Sequence, residues 1–149
     1  MRVSRVSSFV VLGLFALLAM CAPLVLSAGV DCGGLVGEIN MHFGQWQPDA
    51  EELHAKVLDQ SKDNAKYLGL EMKAMRSRVA AVNAGDAEQR ADALKGYEEA
   101  RDRQRDMKVQ KLDDAYADTW EEVMVGGEKL HAEMDAFFDH CGDVYHPKR

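Results

Sequence analysis

The chain has 149 residues, 47% hydrophobic and 29% charged, with 12 Gly, 3 Pro and 7% aromatics. These values exclude a collagen-like, low-complexity or multi-span membrane chain and suit one soluble domain rich in helix-forming residues. The net charge of −7 argues against nucleic acid as a partner.

Arg2 and Arg5 precede an uncharged apolar stretch from Phe9 to Leu26, and Ser27-Ala28-Gly29 supplies the small residues a signal peptidase reads. Residues 1–29 are therefore expected to be an export signal, for the periplasm or for secretion, and 30–149 a single helical domain. An uncleaved membrane anchor is the alternative, since the stretch is long enough to span a bilayer. Cleavage leaves sixteen bases against 25 acids, a net charge of −9.

Cleavage also takes Cys21 away and leaves Cys32 and Cys141. One cysteine near each end of the mature chain points to a single disulfide in an oxidising compartment, the alternative being two buried thiols. A lipid-attachment role for Cys21 is disfavoured by Met20, where a small residue is wanted.

Leu35, Ile39, His42 and Trp46 share one face of a first short helix. From Pro48 to Asn83 a spacing of three and four through Leu58, Ser61, Ala65, Leu68, Met72, Met75, Val79 and Val82 predicts one long helix. Asn83-Ala84-Gly85-Asp86 is the expected turn, with Asp86 as cap of a second long helix over 87–125 that Gly126-Gly127 would end. A last short helix would align Leu130, Met134, Phe137, Phe138, Cys141 and Tyr145. The expected fold is all-α: a long antiparallel helical hairpin, coiled-coil-like, flanked by two short helices that complete a disulfide-closed four-helix base. Its arm, about 59–110, has a polar waist where 59–66 lies level with 103–110. Asp59/Lys62, Glu98/Arg101, Glu99/Arg103 and Asp102/Arg105 are spaced for surface ion pairs.

Charge divides along the chain. Leu112 to Asp143 holds ten acids against Lys129 alone, whereas Lys56 to Lys111 holds thirteen bases against ten acids. All five histidines, His42, His54, His131, His140 and His146, fall in the acidic base. Closing the ends through Cys32 and Cys141 sets His42 level with His131, with Glu38 and Asp135 four residues away on the same faces. These four side chains are the candidate ligands for zinc or a similar divalent ion; the plainer reading is polar residues at a helix seam.

Met41 and His146 invite comparison with the b-type four-helix-bundle cytochromes, whose haem is held by a methionine and a histidine. Pro147 beside His146 and the absence of Cys-x-x-Cys-His speak against haem. No serine, histidine and acid arrangement, glycine-rich phosphate loop or metalloprotease signature occurs, so no catalytic residue is assigned and no enzyme is expected.

An export signal followed by charged amphipathic helices joined at a Gly-Asp turn, over about Trp46 to Tyr116, resembles the small periplasmic stress proteins of the Spy, CpxP and zinc-resistance-associated group. The group's Leu-Thr-x-x-Gln signature is missing, with Gln47-Pro48-Asp49-Ala50-Glu51 a loose analogue, and no binding residue carries over. The resemblance implies client or metal-ion binding in the bacterial envelope, and a homodimer.

The expectation is an exported, non-enzymatic helical binding protein of an envelope-stress or chaperone-like kind. Its partner would be a second copy or a client protein, met by Leu68, Met72, Met75 and Val79 on the arm, with a membrane only if the signal remains uncleaved. The alternative is a metal-ion or haem carrier using the histidines of the base.

Overall fold

Hydrogen bonding at the helix ends sets where this chain turns. In the computed structural model, which describes residues 30–142, four helices and no strand occur among those residues. They are α1 (Cys32–Leu58), α2 (Lys62–Val82), α3 (Ala87–Arg105) and α4 (Asp114–Cys141). The expected export signal, Cys21, Tyr145 and His146 lie outside the described residues.

Asp31 caps α1 by accepting from the Gly34 N–H at 3.0 Å. The helix then runs through Pro48 instead of starting there. Proline cannot donate to the carbonyl four residues back, here that of Gly44, but both residues are exposed, so water can take the donor's place. The first break comes at Asp59-Gln60-Ser61, where Ser61 adopts an extended conformation and accepts from the Asn64 N–H at 3.2 Å. A serine cap of this kind contributes about 1 kcal/mol.

The turn at Asn83–Asp86 forms as expected. Asp86 accepts from the Gln89 N–H at 2.8 Å while Gln89 Oε1 accepts from the Gly85 N–H at 3.1 Å, a reciprocal arrangement close to a capping box. The second break, between Arg105 and Asp114, is held by Asn64, which donates to the Gln110 carbonyl at 2.9 Å and accepts from its N–H at 2.7 Å.

The expected helices over 48–83 and 87–125, with short helices outside them, are therefore corrected. The polar waist is where the chain breaks, at 59–61 and 106–113, and the expected junctions at 47–48 and 126–127 lie inside continuous helices. α4 passes through Gly126-Gly127 because Trp46 of α1 fills the space their missing side chains leave. A Cβ at Gly126 would come within 3.0 Å of Trp46 Cδ1, and one at Gly127 within 3.6 Å of Nε1.

α2 is the centre of the assembly, packed against α1, α3 and α4, while α1 also packs against α4. Leu68, Met72, Met75 and Val79, expected on an open arm, are buried in one core with Ile39, Trp46, Leu53, Val57, Leu130, Met134 and Phe137. The stripe is thus covered by the chain's own α1 and α4. Cys32, first in α1, and Cys141, last in α4, bring their Sγ atoms to bonding distance across a sequence separation of 109.

Candidate functional site

Three polar residues interrupt the apolar face of α2 at intervals of seven: Asn64, Glu71 and Arg78, all buried. A seven-residue interval returns to nearly the same helix face, so the three form one polar seam facing α3 and α4. Asn64 holds the loop before α4, as described above. Glu71 accepts from Arg101 at 2.8 Å and Gln104 at 2.8 Å on α3, and pairs with His131 Nε2 on α4 at 2.7 Å. Arg78 donates to the His131 carbonyl at 3.3 Å and to Asp135, and stands 5.0 Å from the Tyr97 ring centre and 5.6 Å from that of Phe138.

This seam sets the state of His131. Arg78 Nη1 lies 3.2 Å from His131 Nδ1, and a guanidinium can only donate, so Nδ1 accepts and Nε2 carries the hydrogen given to Glu71. Burial by itself would raise the Glu71 pKa. The hydrogen bonds from His131 and Gln104, with the charge of Arg101, outweigh it and hold the carboxyl below its ordinary value.

The expected ligand set takes up two separate arrangements. His131 and Asp135 belong to the Arg78 seam, whereas His42 Nδ1 bonds Glu133 Oε2 at 2.8 Å and Glu38 is exposed. Among the described residues, no group of three or more His, Cys, Asp or Glu is placed to hold a metal ion. Met41, the methionine of the disfavoured haem comparison, is half exposed at 52%. Of the expected surface pairs Asp102–Arg105 forms at 2.7 Å, while Arg101 turns inward to Glu71.

Between α1 and α4 the surface sinks into a groove of about 510 Å³. Trp46, Leu53, Val123 and Leu130 supply its buried apolar floor, and the Trp46 indole N–H donates to the Val123 carbonyl at 2.7 Å. Four carboxylates line the rim, Asp49, Glu52, Glu122 and Glu133, with Lys56, Lys129 and His42 as the basic side chains. Glu52 is paired with Lys56, and Glu133 with His42 and, at 3.9 Å, with Lys129. Asp49 and Glu122 have no ion pair or side-chain hydrogen bond among the described residues. Sequence reasoning missed this groove because it assigned Trp46 and Gly126 to the ends of different helices.

No family model, no curated protein and no solved structure matches this chain.

Proposed function

We propose that the chain acts after export as a non-enzymatic binding protein whose ligand site is the groove between α1 and α4. The observation that carries this reading is the groove itself: about 510 Å³, an apolar floor containing a tryptophan, and a rim with two unanswered carboxylates. Small-molecule sites have volumes of roughly 300 to 1,000 Å³ and combine apolar walls with a few placed polar groups.

The reading takes α1 and α4 as antiparallel neighbours closed at one end by a Cys32–Cys141 disulfide. It is supported by the contacts of His42 with Glu133 and Trp46 with Val123, whose numbers rise along α1 as they fall along α4. Export is supported by the disulfide, which belongs in an oxidising compartment. No helix among the described residues is long and apolar enough to cross a membrane. A binding role is favoured over catalysis because Glu71 and His131, a buried acid and base pair among the described residues, are engaged in holding helices and do not line the groove.

The test is a small-molecule screen by calorimetry on the mature protein and on Thr119→Phe, a rim variant that fills the groove. Lys95→Ala, on the exposed surface of α3, is the control. Ligands that bind the parent and the control but not Thr119→Phe support the reading. Binding indifferent to Thr119→Phe contradicts it.

A further inference from the structure

Building on the groove as a ligand site, we infer that its occupant is an amphipathic organic cation, a protonated amine carried on an apolar chain. The basic side chains of the rim are already answered: Lys56 by Glu52, and Lys129 and His42 by Glu133. What remains uncompensated is negative, Asp49 on α1 and Glu122 on α4. By the helix pairing, residue 49 stands level with about residue 124, so the two carboxylates flank one stretch of the groove beside Trp46 and Val123.

The negative side continues beyond the groove. On the α4 surface beside the groove, Asp118, Glu121, Glu122 and Val125 share one helix face, with no base among them. A ligand carboxylate would meet this field unfavourably, whereas an ammonium would be attracted by two carboxylates at once. An apolar chain extending from the ammonium would cover Leu53 and Leu130 along the floor, gaining burial that a bare inorganic cation lacks.

Three probes with one apolar body separate charge from burial: octylamine, 1-octanol and sodium octanoate. Each is titrated at neutral pH, below its aggregation concentration, by calorimetry and by the Trp46 indole N–H resonance, assigned through its loss in Trp46→Phe. Octylammonium should bind at least about tenfold more tightly than octanol, and octanoate more weakly than octanol. The double variant Asp49→Asn/Glu122→Gln, whose fold is checked by its melting curve, should abolish the amine's advantage and leave octanol unchanged. Equal affinities for the three probes, or a preference for octanoate, with the Trp46 resonance moving, overturn the cation and leave the groove reading standing. An amine advantage that survives the double variant also overturns the assignment. If no probe binds, or none moves the Trp46 resonance, the cation and the groove fail together.

Discussion

The Trp46 indole N–H reaches the Val123 carbonyl at 2.7 Å, and a Cβ on Gly126, one turn further along α4, would stand 3.0 Å from the same ring. The two facts belong together. Trp46 can approach the α4 backbone closely enough to bond it only because the next turn carries no side chain there. Gly126→Ala should force the ring or α4 to shift, at a cost of about 1 to 3 kcal/mol in the range typical of overpacking. Trp46→Ala should cost about 3 to 5 kcal/mol, as for a large aromatic removed from a core. Urea unfolding of the two variants measures both; a neutral result for Trp46→Ala would remove this contact from the core.

Gly126-Gly127 shows how far the sequence could be read and where it stopped being legible. All-helical structure, the Asn83–Asp86 turn and the Cys32–Cys141 pairing followed from composition, capping residues and cysteine count. The junctions did not, because Pro48 and the glycine pair are local signals of helix ends that tertiary packing overrides. Exposed Pro48 leaves the Gly44 carbonyl to water, and the glycines admit Trp46. Conversely, Ser61 looked like one more position in an apolar repeat, although its side chain is the cap of α2. The groove was invisible for the same reason, since it forms only when 46 and 126 lie within helices that pass each other.

The polar seam was legible in principle. Asn64, Glu71 and Arg78 recur every seven residues, and the repeat marks one helix face whatever its partners. Glu71→Leu leaves the buried His131 and Gln104 donors without their acceptor and should cost about 1 to 3 kcal/mol. Arg78→Leu should cost less through its ion pair, because Asp135 is exposed to solvent. Double-mutant cycles with His131→Leu measure the coupling between partners. Additive effects would show that these contacts carry no shared energy.

Glu71 also makes a pH-dependent contribution of known sign. Its folded pKa lies below its ordinary value of 4.5, so between the two values the unfolded chain binds more protons, and stability rises with pH. The contribution is complete above the ordinary value and disappears as pH falls through the depressed folded value. The melting temperature of the parent should therefore fall more steeply below about pH 4.5 than that of Glu71→Gln. Parallel slopes for the two proteins would contradict the assignment.

Reduction of the Cys32–Cys141 bond should lower the melting temperature. The bond closes a loop with a sequence separation of 109, for which chain entropy gives about 4 to 5 kcal/mol in the unfolded state. Thiol titration of unfolded, unreduced protein spanning residues 30–149 should find neither Cys32 nor Cys141 reactive. Two reactive thiols per chain would contradict the bond.

Asn64→Ala should loosen the segment between Arg105 and Asp114, since Asn64 supplies both hydrogen bonds to the Gln110 backbone, beside the one from the Gln110 side chain to Asp63. A loss of about 1 to 2 kcal/mol is expected from two half-buried bonds. Hydrogen exchange should quicken first at the Gln110 amide, whereas unchanged protection there would mean the segment is held by other contacts.

The proposed binding role of the groove is tested most directly by mapping amide shifts on isotopically labelled protein spanning residues 30–149 during titration with octylamine. Saturable shifts should concentrate at Trp46, Asp49, Leu53, Glu122, Val123 and Gly126, with α3 from Ala87 to Arg105 undisturbed. Shifts centred on α3, or none that saturate, would contradict a ligand site between α1 and α4.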